Sequence, residues 1–197
     1  MSDELFRQKS PDIMRLLMAD FDLGEMDAAA ILGNLGHESG GFKFLQELKP
    51  MVPGSAGGYG WAQWTGPRRR EFEAYCERNA LDPASDKANY GFLFVELKGS
   101  EKLAIFAVKV ATTLYDKVVA FEKHFERAGV KHYDSRLKWA EKALDAYRAA
   151  TGAPPESVDV PEAPVSPQEP DVSLEARVEA LERLRDRIYQ NFPILKE

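Results

Sequence analysis

The stretch Gly-His-Glu-Ser-Gly-Gly-Phe at 36–42 places a glutamate where an apolar helix meets a pair of glycines. Ile31 and Leu35 precede Glu38 by seven and three residues, so all three lie on one face of a helix predicted over 25–38. The nearby C-terminal end of that helix favours the neutral form of a carboxyl group. An enzyme that cleaves glycosidic bonds requires such a carboxyl group as its proton donor.

A second informative segment, Gly-Gly-Tyr-Gly-Trp-Ala-Gln-Trp-Thr-Gly at 57–66, follows downstream. It predicts a short strand, in which Tyr59, Trp61 and Gln63 share one face and Trp64 lies on the other. Because a buried amide needs a hydrogen-bond partner, Gln63 is expected to contact a sugar or the catalytic carboxyl group. The alternative for the two tryptophans is a purely structural role in the core.

Composition narrows the possible functions. The 197 residues are enough for one domain with a core and an appendage. A net charge of −6 argues against a strongly basic nucleic-acid binder, and a single cysteine excludes an internal disulfide. The histidines at 37, 124 and 132 lack the spacing of zinc ligands, so we expect neither a metal site nor a cofactor.

The N-terminal segment has no basic start followed by an apolar run, and no segment approaches the ~18 apolar residues of a membrane span. We therefore expect a protein that is made in the cytoplasm without a signal peptide and does not insert into a membrane. A substrate outside the cytoplasm would require another agent to carry the protein to it.

Most of residues 1–150 is predicted to be helical. Ser10-Pro11 has the composition of a helix start, with serine as the N-cap and proline in the first turn. Besides the helix over 25–38, the apolar periodicity and turn residues predict further helical spans over 66–79, 85–98, 101–127 and 134–150. Within 101–127, Asp116 is a candidate cap for a second helical segment.

The composition changes after residue 151, where six prolines and no aromatic residue occur before residue 171. Three regions are predicted: a domain over 1–151, an extended linker over 152–171 and an amphipathic helix over 172–197. Within 172–190 the last region carries a short apolar seam, formed by Leu174, Val178, Leu181 and Ile188. This seam is expected to bind a virion protein, a second copy of the chain or the surface of the domain over 1–151.

Gly-x-Glu-Ser-x-x-Phe followed by Gly-x-Gly-x-x-Gln-Trp-Thr-Gly resembles the phage tail-lysozyme and endolysin group of the lysozyme superfamily, near goose-type lysozymes and lytic transglycosylases. The resemblance covers about residues 11–150. It implies a mainly α, lysozyme-like α+β fold, in which a helical domain carries a small β-hairpin lobe. It also implies cleavage of peptidoglycan at the β-1,4 bond between N-acetylmuramic acid and N-acetylglucosamine, at the cell wall of the phage's host.

The same resemblance implies roles for individual residues. Glu38 corresponds to the general acid, Gln63 to the hairpin glutamine, and the adjacent aromatics Tyr59, Trp61 and Trp64 to the glycan-binding wall. Asn34, one helical turn before Glu38, is its nearest polar neighbour on the predicted helix and a further candidate for substrate contact.

The sequence identifies the second catalytic group, which would act with Glu38, less clearly than it identifies Glu38 itself. Glu47 is the nearest candidate for a carboxylate on the other side of the bond. Related phage lysozymes have a threonine six residues after this position, and Pro53 stands there in this chain. A single-carboxylate mechanism of the lytic transglycosylase type therefore remains an alternative. Two other functions also remain: a non-catalytic peptidoglycan-binding or virion structural protein, and a chitinase-like endolysin.

Overall fold

The computed structural model describes residues 2–47, 50 and 55–152, and these are mainly helical, as predicted. They contain seven α-helices and one π-helical turn: α1 (Ser2–Phe21), α2 (Glu25–Ser39), α3 (Gly66–Arg78), α4 (Asp86–Lys98), α5 (Lys102–Val110), α6 (Leu114–Phe121), the π-helical turn (Glu122–Glu126) and α7 (Tyr133–Thr151). No helix in this part of the chain is long and apolar enough to cross a membrane. Residues 153–197 lie outside the described residues, so the linker and the terminal helix stay predictions.

Helix α2 is the central element, and it packs against α1, α5, α6 and α7. Its alanines and branched apolar residues are fully buried. Gly33 allows the closest approach, because a Cβ atom there would lie 2.6 Å from the backbone oxygen of Arg136 and 2.6 Å from Cβ of Ala140 on α7. This crossing brings the α7 arginine within reach of Glu38 near the end of α2.

We expect Gly33→Ala to lower the free energy of unfolding by about 1–3 kcal/mol, because the added methyl group overpacks a contact with backbone. Gly91→Ala on α4 is the matched control. The added methyl group there meets the hydroxyl end of the Tyr75 side chain, which can move, so its cost should be clearly smaller. Urea denaturation of both variants measures the difference, and equal stabilities would contradict the close packing of α2 on α7.

The first helix begins earlier than predicted. Ser10 and Pro11 lie inside α1 rather than at its start, and the Ser10 hydroxyl donates to the backbone oxygen of Phe6 at 2.6 Å. The reason is tertiary: Phe6 is fully buried, and its ring packs 4.7 Å from Trp139. That burial stabilises a helical turn upstream of the serine, so the local capping signal was misleading.

The predicted helical span over 101–127 contains two helices and a π-helical turn, and the second segment expected inside it is α6, with Thr113 rather than Asp116 as its N-cap. Helix α6 begins at Leu114, and Thr113 is its N-cap. The Thr113 hydroxyl oxygen accepts a hydrogen bond from the Asp116 N–H at 3.1 Å. It runs directly into the π-helical turn, a form that occurs mostly as single turns and often at functional sites.

The β-hairpin lobe is not confirmed, because the described residues contain no sheet. Two isolated antiparallel bridges pair Tyr59 with Gln46 and with Trp64. Gly60 at φ +79° and Gln63 at φ +47° turn the chain back, so the predicted two-residue alternation is wrong. Consistent with this turn, the rings of Tyr59 and Trp64 both stack on Phe72.

Candidate active site

A cleft of about 650 Å³ lies beside the end of α2. Its walls come from α2, the segment that leads into α3, and the residues around the end of the π-helical turn. Four of the residues predicted from the sequence line it: Glu38, Glu47, Gln63 and Trp64. The other lining residues are Pro50, Ser55, Gly58, Ala62, Thr65, Arg68, Glu126, Arg127, Ala128 and Gly129.

Glu38 is held by Arg136. The Nη2 group of Arg136 donates to Oε1 of Glu38 at 2.6 Å, and the Arg136 side chain is 1% exposed while that of Glu38 is 21% exposed. The guanidinium group is itself fixed, because Nη1 donates to Oδ1 of Asn34 at 3.1 Å and Nε donates to the Lys131 backbone oxygen at 2.8 Å. Charge-assisted bonds of this kind hold the carboxyl group in one position at the cleft.

Asn34 is fully buried beneath this pair. Its Nδ2 group donates to the backbone oxygens of Ala30 at 3.0 Å and Val118 at 3.2 Å, and its Oδ1 accepts from Arg136. These contacts are all with protein groups. Asn34 therefore positions the arginine that holds Glu38.

Glu47 lines the same cleft as Glu38 and is held by hydrogen bonds with Gly58. Its Oε2 accepts the Gly58 N–H at 2.8 Å, while its own N–H donates to the Gly58 oxygen at 2.9 Å. The structure thus brings the two predicted catalytic carboxyl groups to one cavity.

The side-chain amide of Gln63 is hydrogen-bonded to backbone oxygens. Its Nε2 group donates to the carbonyl oxygens of Phe44 at 3.0 Å, Leu45 at 3.2 Å and Gly60 at 2.9 Å. These bonds tie the turn after Tyr59 to the segment that follows α2. The partners expected from the sequence were a sugar or a carboxyl group, and in the structure three backbone oxygens take that place.

The aromatic residues differ in exposure. Trp61 and Trp64 are each 1% exposed, with the Trp61 ring 4.8 Å from Phe42. Trp64 lines the cleft, and its Nε1 donates to Oε2 of Glu96 at 2.7 Å. Tyr59 is half-buried, and burial raises the pKa of its hydroxyl group. Most of the tryptophan surface therefore belongs to the core.

His37, next to Glu38, is not positioned as an acid. Burial, followed by the nearby charges of Arg136 and His132, lowers its pKa to about 4, so the ring is neutral at neutral pH. Its Nδ1 lies 2.9 Å from the hydroxyl oxygen of Ser135. Across residues 2–47, 50 and 55–152, no group of three or more histidine, cysteine or acidic side chains is arranged to hold a metal ion.

Two residues of the cleft region were missed by sequence reasoning. Arg136 lies in an ordinary amphipathic helix, and Glu126 in a polar stretch after an apolar one, so neither carries a local signal. One carboxyl oxygen of Glu126, Oε1, is buried without a hydrogen-bond partner among the described residues. Burial and, next, the charge of Glu38 raise the pKa of Glu126 well above its usual range.

The family model described as "Phage tail lysozyme" matches residues 9–147, which is more than half of the chain. No curated protein and no solved structure matches the chain.

Proposed function

Since the chain belongs to the phage tail lysozyme family, we propose that it is a muramidase of phage type. Membership of this family supports a lysozyme-like action on peptidoglycan, and therefore action at the cell wall. Our proposal specifies the bond that is cleaved, the β-1,4 linkage between N-acetylmuramic acid and N-acetylglucosamine, and the residues that catalyse the cleavage. The observation that carries it is the carboxyl group of Glu38, fixed by a buried arginine at a cleft that also contains Glu47.

In the proposed mechanism, Glu38 protonates the glycosidic oxygen as the bond to the anomeric carbon breaks. The proton transfer leaves a carboxylate on Glu38, and Arg136 is already in place to stabilise that charge. A pre-positioned cation of this kind needs little reorganisation during the reaction. Glu47 takes the proton of the water whose oxygen bonds to the anomeric carbon, completing hydrolysis.

The glycan is proposed to lie in the cleft beside Gln63 and Trp64, while Tyr59, which is not among the residues that line the cleft, supports the turn behind them. Gln63 acts there through the backbone, because its three hydrogen bonds fix the turn that carries Tyr59. Trp61 supports the same turn from the core, where the Asn89 side-chain oxygen accepts the backbone N–H of Trp61 at 2.9 Å.

Digestion of purified peptidoglycan, with chitin in parallel, tests the proposed function. We expect soluble fragments from peptidoglycan and far fewer from chitin. Faster release from chitin would indicate the chitinase-like alternative. Co-sedimentation with peptidoglycan and no released fragments would instead indicate a binding or virion structural protein.

Glu47→Gln is expected to lower the rate of peptidoglycan digestion by ~10²–10⁴-fold, the usual contribution of a general base. Its fold should be intact, because the amide oxygen still accepts the Gly58 N–H. Glu71→Gln, at an exposed glutamate of α3, is the control and should digest at the wild-type rate. An active Glu47→Gln enzyme that releases anhydro-muropeptides would remove Glu47 from the mechanism and favour the single-carboxylate route.

A further inference from the structure

A second pocket, of about 560 Å³, lies beside the start of α7, and none of the described residues lines both this pocket and the cleft. Its lining residues are Tyr115, His132, Tyr133, Asp134, Ser135 and Lys138, and three of these six carry aromatic rings. Tyr115 is 44% exposed, and His132 is exposed as well. Ring surface at this pocket is therefore open to a ligand, whereas the tryptophans near the cleft are buried.

The aromatic rings of this second pocket are held in place by the fold. The Tyr133 hydroxyl donates to Oε2 of the buried Glu122 at 3.1 Å, and the Tyr115 ring meets the Tyr133 ring edge-on, with 6.1 Å between the ring centres. The His132 ring packs against the His37 ring, with 5.4 Å between their centres. A ligand that packs on these rings therefore meets side chains that are already positioned, which reduces the entropy cost of binding.

Polar groups around the rings remain available for hydrogen bonds. Within the described part of the chain, the side-chain polar groups of Tyr115, Asp134 and Lys138 make no hydrogen bond or ion pair. Asp134 and Lys138 carry opposite charges, so the rim of the pocket favours neither an anion nor a cation. An uncharged sugar fits this lining, because its apolar C–H face packs on an aromatic ring while the hydroxyl groups at its edge donate and accept hydrogen bonds.

One short segment of the chain joins the second pocket to the cleft. Residues 127–129 line the cleft, and His132 is the first residue of the same segment to line the second pocket. His132 follows Gly129 by three residues, so their Cα atoms lie no more than about 11 Å apart. A polymer that occupies the cleft and continues past this segment reaches the second pocket, so a chain of sugars suits the pair of sites better than a single sugar does.

We propose that the second pocket binds a sugar unit of the same glycan strand that is cleaved in the cleft, with Tyr115, His132 and Tyr133 as the contact surface. The inference rests on the proposed function for the identity of the strand. A strand held at both sites binds more tightly than one held in the cleft alone, because the first contact raises the effective concentration of sugar at the second. Since the contact is with sugar, it does not require the stem peptides of peptidoglycan.

The test is an NMR titration of the full chain carrying Glu38→Gln, which prevents digestion, with soluble glycan strands from which the stem peptides have been removed. The ring signals of His132 should shift as the strands bind. Adding Tyr115→Ala should weaken binding about 2–10-fold, the usual range for one aromatic contact, while Tyr115→Phe keeps the ring and should retain most of the affinity. Phe106→Ala is the matched control, because Phe106 is a 58% exposed aromatic residue of α5 that lines neither pocket.

Equal affinities of the Tyr115→Ala and Phe106→Ala proteins, or His132 signals that do not shift with the strands, would overturn the proposal. So would binding that occurs only when the stem peptides are present, since that result assigns the pocket to peptide rather than sugar. These outcomes do not depend on catalysis. If the wild type digests no peptidoglycan while His132 shifts and Tyr115→Ala weakens binding, the proposed function fails and the glycan site stands. If the wild type digests peptidoglycan while Tyr115→Ala binds as the control does, the glycan site fails and the proposed function stands.

Discussion

Glu38→Gln is expected to lower the rate of peptidoglycan digestion by ~10²–10⁴-fold, because an amide cannot deliver the proton of a general acid. The substitution preserves the size of the side chain. Its amide oxygen still accepts the hydrogen bond from Arg136, so the fold should survive. The rate of fragment release from purified peptidoglycan measures the effect, and the thermal unfolding midpoint checks that the variant is folded.

Glu25→Gln is a closely matched control for this prediction. Glu25 lies on the same helix, pairs with an arginine of α7, Arg148, and has the same side-chain exposure of 21% as Glu38. Of these two glutamates, only Glu38 lines the cleft. Activity of Glu25→Gln should therefore remain within a few-fold of the wild type. A folded Glu38→Gln protein that matches this control would exclude Glu38 as the general acid.

Arg136→Met should destabilise the protein by about 3–5 kcal/mol, the usual cost of removing one partner from a buried ion pair. The change leaves the Glu38 carboxylate without its cation. Asn34 and the Lys131 carbonyl also lose their donors. Urea denaturation measures the loss, and digestion should fall as well, because Glu38 loses its fixed position.

Arg15→Met serves as the control for that measurement. Arg15 pairs with Asp12 on α1, where both side chains are well exposed, and such pairs contribute about 0–1 kcal/mol. A cost for Arg136→Met no larger than that of Arg15→Met would contradict the role of the arginine in holding the site together.

The helical parts of the fold follow from local sequence. Ile31, Leu35 and Glu38 lie on one stripe, and the predicted helix over 25–38 agrees with α2, which ends one residue later. Ser85 caps α4 through its hydroxyl oxygen, which accepts the Ala88 N–H at 3.2 Å. These two signals agree with the structure because periodicity and capping depend on residues within one or two turns. At Ser10 the burial of Phe6 overrides the capping signal.

The segment before α3 shows where local reasoning fails. Alternation from Tyr59 to Trp64 has the pattern of a strand, but Gln63 adopts a positive φ and donates to three backbone oxygens outside any sheet. The turn is held by Asn89 of α4, which is distant in the sequence. No pattern within the segment encodes that contact.

The residues of the candidate site likewise fall into two groups: those that a local sequence pattern identifies and those that it does not. Glu38 and Glu47 can be selected from sequence, because each is an acid in a segment with a recognisable pattern. Arg136 and Glu126 cannot, since Arg136 reaches Glu38 through the packing of α7 against α2, and Glu126 reaches the cleft from the π-helical turn. Which side chains face the cleft is in both cases a property of the folded chain.

Mass spectrometry of peptidoglycan digested by the wild-type protein tests the central claim most directly. The account predicts soluble muropeptides whose glycan ends in a reducing N-acetylmuramic acid, and almost none with Glu38→Gln. Fragments that end in a reducing N-acetylglucosamine, or equal yields from the wild type and Glu38→Gln, would contradict it.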